Sequence, residues 1–181
     1  MKSLLLICAL ILAGVSYAQT DTVCLGTNSV TYDIPQPSTG TIVWNITAPG
    51  IIVSGQGTNS IVVDWSGASV AFINDAVTVS LTNTNCPVTP QTLDVEIINP
   101  IVNILPTSPL CLTDPCITLT TVPNISGTWI GVGLSGNSFC PNISGSGVFN
   151  LVFNGTLYGC NVTSNTSITV NNIITLGNIT Y

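Results

Sequence analysis

Apolar and polar positions alternate along much of this chain with a period of two residues. From Thr41 to Thr47, Ile42, Trp44 and Ile46 share one side and Val43, Asn45 and Thr47 the other. From Ser60 to Trp65, Ile61, Val63 and Trp65 fall together with Asp64 opposite. Ala76 to Thr82 turns Val77, Val79 and Leu81 inward and Thr78, Ser80 and Thr82 outward, and Thr92 to Ile98 sets Leu93, Val95 and Ile97 against Asp94 and Glu96. Successive side chains of a strand point to opposite faces, so each run predicts a half-buried strand. Thr and Val dominate the runs, and both are branched at Cβ and suited to a pleated surface. No window carries the i, i+3, i+4, i+7 spacing of an amphipathic helix. Short strands punctuated by Gly, Pro and Asn turns predict antiparallel sandwiches.

A break falls near Asn99-Pro100, and the strand pattern resumes beyond it at Cys116 to Thr121, Gly127 to Ile130, Gly147 to Phe153, Tyr158 to Thr163 and Thr166 to Asn171. The expected fold is therefore all-β: two tandem small antiparallel β-sandwiches, over residues 19–98 and 99–171. Each is about 75 residues, a size that buries little more than ~60% of the chain's surface and leaves a marginal core. Trp44, Trp65 and Trp129 read as core residues. A last stretch, 172–181, carries Ile173, Ile174, Leu176 and Ile179 and exceeds what a small sandwich needs. It predicts a C-terminal strand that either closes its own domain or is donated to a neighbouring subunit.

Residues 1–18 read as an export signal. Lys2 opens a basic start, Leu4 to Val15 is an apolar run too short for a bilayer span, and Ser16-Tyr17-Ala18 places small residues before Gln19. Removing the signal takes Lys2 with it, so the mature chain has seven acidic residues and no Lys, Arg or His. Such a chain has no cation to neutralise nucleic-acid phosphates or to anchor on an anionic membrane. It also has no imidazole for proton transfer or soft-metal ligation. The expected location is secreted, extracellular or at the cell surface, with no membrane span after signal removal.

Cys8 falls inside the signal, leaving Cys24, Cys86, Cys111, Cys116, Cys140 and Cys160. An even number in an oxidising compartment predicts three disulfides. Of fifteen possible pairings, the two-part organisation favours Cys24–Cys86 in the first domain and Cys111–Cys160 with Cys116–Cys140 in the second. A metal site is disfavoured, because no Cys-x-x-Cys pair or His is present.

The remaining chemistry is sparse. Asp94 and Glu96 lie two residues apart on one strand, and a carboxylate pair is the minimum for glycoside hydrolysis, but an outward strand face offers no cleft. Asp33, Asp64 and Asp75 are isolated, with no Asp-x-Asp-x-Asp-Gly loop for calcium. Gly131-x-Gly133 and Gly145-x-Gly147 lack the strand-to-helix setting of a phosphate loop. No base is available to activate a Ser or Thr nucleophile. The chain therefore reads as no enzyme, with no cofactor and no metal. Asn45, Asn124, Asn142, Asn154, Asn161, Asn165 and Asn178 each head an Asn-x-Ser/Thr sequon, which matters where a host N-glycosylates exported proteins.

The first half contains, in order, Val23-Cys24-Leu25-Gly26, Val30-Thr31-Tyr32-Asp33-Ile34-Pro35, Thr41-Ile42-Val43-Trp44, and a run from Ile52 through Gly55-Gln56-Gly57 to Asp64-Trp65. Over roughly residues 22–98 this resembles the PKD-like (polycystic-kidney-disease-like) domain of Bacteroidota surface proteins, in which a Trp-containing strand precedes a Gly-x-Gly turn and a strand ending at Trp. Asn83-Thr84-Asn85-Cys86 sits where that family often has its second Cys. The second half, with Cys111-Leu112-Thr113-Asp114, Gly127-Thr128-Trp129, Gly131-Val132-Gly133 and Tyr158-Gly159-Cys160, resembles the immunoglobulin-like repeats that accompany it, with Cys116 and Cys140 as departures. Asp21-Thr22-Val23 resembles the Bacteroidota O-glycosylation sequon, which makes Thr22 a candidate. The resemblance implies a non-catalytic surface role of the kind found in adhesins, gliding-associated proteins and spacer arrays.

Outward faces of Thr, Ser and Asn without Lys leave strand edges unguarded by charge. The expected function is a structural subunit of an extracellular filament, coat or adhesive assembly, joined by β-strand contacts to itself or to another surface protein. The alternatives are a monomeric module binding a glycan or protein ligand through exposed aromatics such as Trp129 or Tyr158, and an accessory subunit of a larger surface complex.

Overall fold

A computed structural model describes residues 19–37, 39–84 and 88–172. The chain divides into two compact units, Met1–Asn99 and Pro100–Tyr181. Both are built from strands, and among the described residues no helix is long and apolar enough to cross a membrane.

The first unit runs β1 (Gln19–Cys24), β2 (Val30–Asp33), β3 (Thr41–Ile46), β4 (Ile51–Ser54), β5 (Ser60–Asp64), β6 (Ala71–Thr82) and β7 (Gln91–Ile98). These strands form two sheets, ordered β1-β7-β6-β3 and β2-β5-β4. β1 lies parallel to β7, and the other pairs are antiparallel. The inward rows meet in one core: Ile42, Trp44, Val77, Val79, Val95 and Ile97 from the larger sheet, Tyr32, Ile61 and Val63 from the smaller, and Trp65 just beyond β5. Ile61, Val63 and Trp65 are wholly buried. Two aromatic anchors spaced within alternating strands thus suffice to set which face of each sheet turns inward.

The pattern fails at one place. Asp94 is buried, not outward with Glu96. Between Ile73 and Val77 the β6–β7 register slips, with four residue steps on β6 opposing two on β7. Asp75 adopts a positive φ of 46° there. Asp94 lies opposite this bulge and accepts the Asp75 backbone N–H at 2.8 Å. A bulge leaves a ladder group without its partner, and the carboxylate supplies one.

The second unit comprises β8 (Asn103–Ile104), β9 (Leu110–Cys111), β10 (Ile117–Thr118), β11 (Thr121–Val122), β12 (Gly127–Ile130), β13 (Leu134–Ser135), β14 (Ser138–Phe139), a one-turn helix α1 (Pro141–Ser144), β15 (Gly147–Leu157) and β16 (Cys160–Asn171). Its main sheet is ordered β12-β15-β16-β9, with smaller sheets β10-β14-β13 and β11-β8. The expected strand at Cys116 to Thr121 is instead the two short strands β10 and β11. The helix, not expected from the period-two pattern, has Pro141 in its first turn, where a missing N–H costs nothing.

The expected separate strands Tyr158–Thr163 and Thr166–Asn171 are one twelve-residue strand, β16, and Tyr158-Gly159 is the turn before it. Register continues unbroken from Leu157↔Cys160 to Gly147↔Val170. The polar middle of β16 does not interrupt it, because alternation holds throughout: Val162, Ile168 and Val170 are buried while Asn161, Thr163, Asn165, Ser167 and Thr169 are exposed. Leu151, Phe149 and Phe153 of β15 complete the inner face. Phe139, wholly buried, sits with its ring centroid 6.0 Å from that of Phe149.

Cys116 and Cys140 form a disulfide, with an S–S distance of 2.01 Å. The expected Cys111–Cys160 bridge does not form: Cys111 is free and exposed, whereas Cys160 is buried and disulfide-bonded. Cys111 pairs with Asn171 at one end of β16, and Cys160 begins the other end. Eleven residue steps of strand separate these ends by about 36 Å, far beyond the ~7 Å that a disulfide can span between Cα atoms. Six cysteines in three bridges is therefore not the state of this chain. Cys24 is disulfide-bonded, and its expected partner Cys86 lies outside the described residues, as does the stretch with Ile173, Ile174, Leu176 and Ile179.

Candidate functional site

In the first unit, a chain of hydrogen bonds leads from the core to the half-exposed Asp21. Trp65 Nε1–H donates to Tyr32 Oη at 3.2 Å, and Tyr32 O–H donates to Asp21 Oδ2 at 3.2 Å. Burial, reinforced by the neighbouring Asp21 charge, pushes the Tyr32 phenol far above its ordinary value. A proton held that tightly is structural, because a phenol that does not ionise is neither base nor nucleophile at ordinary pH. Asp64 is lowered by hydrogen bonds from the Ser66 hydroxyl and backbone N–H, the latter at 2.7 Å, and caps a turn. Asp33, Asp64 and Asp75 do not converge: among the described residues no group of three or more His, Cys, Asp or Glu side chains could hold a metal ion.

The outer edge of β3 is closed by a side chain. Gln56, at the tip of the Gly55-Gln56-Gly57 turn, accepts the Trp44 backbone N–H through Oε1 at 3.0 Å and donates Nε2 to the Trp44 carbonyl at 2.8 Å. One amide thus occupies the position a further strand would take. Gly55 makes the turn possible: its φ is +88°, and a Cβ there would collide with the Ser60 carbonyl. The Trp44 indole N–H donates to the Thr58 carbonyl at 2.8 Å in the same turn.

β16 differs. On the side away from β15 it pairs with β9 only at Val170 and Asn171, and from Asn161 to Thr169 no described strand is hydrogen-bonded to it, although β8 packs close to it. Its outward row faces a matching row on β15, with Asn150↔Ser167, Asn154↔Thr163 and Thr156↔Asn161 in register and the Thr163 hydroxyl donating to Asn154 Oδ1 at 2.8 Å. Three sequon residues, Asn154, Asn161 and Asn165, are exposed on this face. Thr22, Asn45, Asn124 and Asn142 are exposed elsewhere, and Asn178 lies outside the described residues.

A cleft of about 280 Å³ opens in the second unit. Trp129 of β12 and Phe153 of β15 form one wall, with ring centroids 5.0 Å apart and planes tilted by 57°. Gly127 leaves room for the Phe153 ring, which a Cβ would strike. Asn124, Ser126 and Asn137 bring amide and hydroxyl groups to the lining. Asn137 occupies the two-residue Gly136-Asn137 turn between β13 and β14, a hairpin signal in itself, and its carbonyl accepts the Leu119 N–H at 2.9 Å. Thr121 Oγ1 donates to the Pro123 carbonyl at 2.9 Å and accepts the Ile125 N–H at 3.4 Å, holding the loop that carries Asn124. Of the aromatic residues singled out from the sequence, Trp129 is half-buried at this cleft and Tyr158 is an exposed turn residue.

The first unit is thus a β-sandwich whose polar side chains cap turns and brace the core. Residues 13–96 match the PKD-like domain family. Domains of that family are generally non-catalytic modules, and with the disulfides they suggest an extracellular location. No curated protein matches the chain.

Proposed function

We propose that the chain is exported after removal of residues 1–18 and serves as a non-catalytic structural subunit at the cell surface, its PKD-like domain followed by an immunoglobulin-like companion. Subunits join by β-strand addition, the stretch 172–181 of one copy supplying Ile173, Ile174, Leu176 and Ile179 to the edge of another. The observation that carries this reading is the edge of β16 from Asn161 to Thr169, which among the described residues has neither a hydrogen-bonded strand on the side away from β15 nor any charged side chain. An added strand gains main-chain hydrogen bonds along such an edge, with alternate side chains fixing register.

The test compares the mature chain with one ending at Asn171, by light scattering and electron microscopy. The mature chain is expected to associate. The shortened chain is expected to stay folded and monomeric and to bind a synthetic peptide of residues 172–181. Unchanged association of the shortened chain, or loss of its second unit, would overturn strand donation.

A further inference from the structure

We propose that Gln19, once it is the first residue of the exported chain, closes onto its own α-nitrogen to give a pyroglutamyl (5-oxoproline) end. The proposal rests on the removal of residues 1–18 put forward above, and it concerns a covalent modification rather than assembly.

The residue and its place in the fold supply what the reaction needs. A glutamine side chain carries its amide carbon at the distance that closes a five-membered ring with the α-nitrogen of the same residue. An amine freed at Gln19 therefore meets its electrophile without a second molecule, which is the advantage of any intramolecular attack. Gln19 is the first residue of β1, faces Leu93 at the end of the parallel β1–β7 pairing, and is exposed. An exposed side chain can turn back toward that nitrogen. Ring closure leaves the Gln19 carbonyl and everything beyond it in place, so the register from Thr20↔Asp94 to Cys24↔Ile98 is kept.

The step balances without a co-reactant. The α-amine, with a usual pKa of about 8, is substantially neutral under mild conditions. It attacks Cδ, and the new N–Cδ bond replaces the bond from Cδ to the side-chain nitrogen. That nitrogen leaves as ammonia, taking the proton that the α-nitrogen gives up.

The consequence is particular to this chain. Residues 19–181 hold seven acidic residues and no Lys, Arg or His, so a free α-ammonium would be their sole cation and sole primary amine. It would stand two strand residues, roughly 7 Å, from Asp21, whose carboxylate accepts the Tyr32 O–H. The lactam removes that charge, as other terminal modifications do. The exported chain then carries no positive group at any pH. It also offers no amine for an isopeptide cross-link and no free end to an aminopeptidase.

The test takes the chain as its native cells export it, reduces it, and sequences its N-terminal chymotryptic peptide by mass spectrometry. In parallel, the whole chain is treated with an N-hydroxysuccinimide ester, which labels amines. The peptide is expected to begin at Gln19 and to lack the mass of one ammonia, with complete loss of labelling. Gln19→Ala changes an exposed residue, cannot cyclise, and should be labelled at its N-terminus. Pyroglutamyl peptidase acting on the unfolded wild-type chain should release the ring and restore labelling, now at Thr20. A peptide that begins at Gln19 and retains its ammonia, or wild type labelled as fully as Gln19→Ala, would overturn the lactam and leave the export reading standing. A peptide beginning at any other residue would overturn both.

Discussion

Tyr32→Phe isolates one oxygen in the core of the first unit. The ring stays, so no cavity forms, while Trp65 Nε1–H loses its acceptor and Asp21 loses a donor. The two losses differ in weight. Asp21 is half-exposed and water can replace the phenol, whereas Trp65 is wholly buried and its N–H is left unsatisfied. An orphaned buried donor costs about 1–3 kcal/mol. For a unit of this size each kcal/mol moves the unfolding midpoint by roughly 4–8 °C. Calorimetry of the full chain should therefore show the first unit's transition falling by about 5–20 °C. The alkaline arm gives an independent reading. Because the folded phenol is raised above its unfolded value, the unfolded chain releases the Tyr32 proton near pH ~10 while the folded chain retains it. The stabilising contribution is complete below pH ~10 and is lost as pH rises beyond it. Wild type should lose stability above pH ~10 more steeply than Tyr32→Phe. An unchanged midpoint together with an identical alkaline slope would refute the buried Trp65–Tyr32–Asp21 chain.

Gln56→Ala removes both bonds to the Trp44 backbone, and should cost about 1–3 kcal/mol in the first unit while raising self-association through the uncovered β3 edge; equilibrium unfolding and light scattering check both. Asp94→Ala strands the Asp75 N–H at the bulge; the expected loss, about 1.5–3 kcal/mol for a bond to a charged acceptor, is read by denaturant unfolding, and a neutral result would remove Asp94 from the bulge's support. Cys111 should label with a maleimide in the folded, unreduced protein, and Cys116 and Cys140 should not; peptide mapping that finds Cys111 blocked would contradict its free thiol.

The faces of β3 and β5 were legible because alternation there is strict and each carries a tryptophan on its inward row. Asp94 was not, because the bulge of β6 opposite it, and not its own place in the alternation, is what buries it, and nothing local to β7 signals that. β16 read as two strands because Ser164 and Asn165 look like a break. Only its eleven register partners on β15 reveal that polarity in its middle belongs to the outward row. The same missing register misled the cysteine pairing, since the distance between Cys111 and Cys160 depends on which end of β16 receives β9. Gln56 stood in a recognisable Gly-x-Gly turn, but its grip on Trp44 depends on how the turn folds over β3. Trp129 was singled out from the sequence and Asn124 only as a sequon; Asn137 was not, because it comes to the same cleft only through the β13–β14 turn.

Residues 19–181 contain no Lys, Arg or His, so their sheet edges must be guarded by other means, and the two units handle this differently. In the first, Gln56 occupies the β3 edge, and a register shift distorts the edge strand β4 between Ile52 and Ser54. Side-chain plugs and bulges oppose edge pairing as charge does, by denying an incoming strand a straight run of backbone groups. In the second, β16 runs twelve residues with no shift in its register against β15, and among the described residues its edge from Asn161 to Thr169 has no such device. On the proposed reading, the long regular edge of β16 is where an added strand is expected to pair. If both units carried equally open edges, their joining would have no preferred register or direction. On the proposed reading, an added strand is expected at β16 and not at the β3 edge that Gln56 occupies, which gives strand addition a single direction.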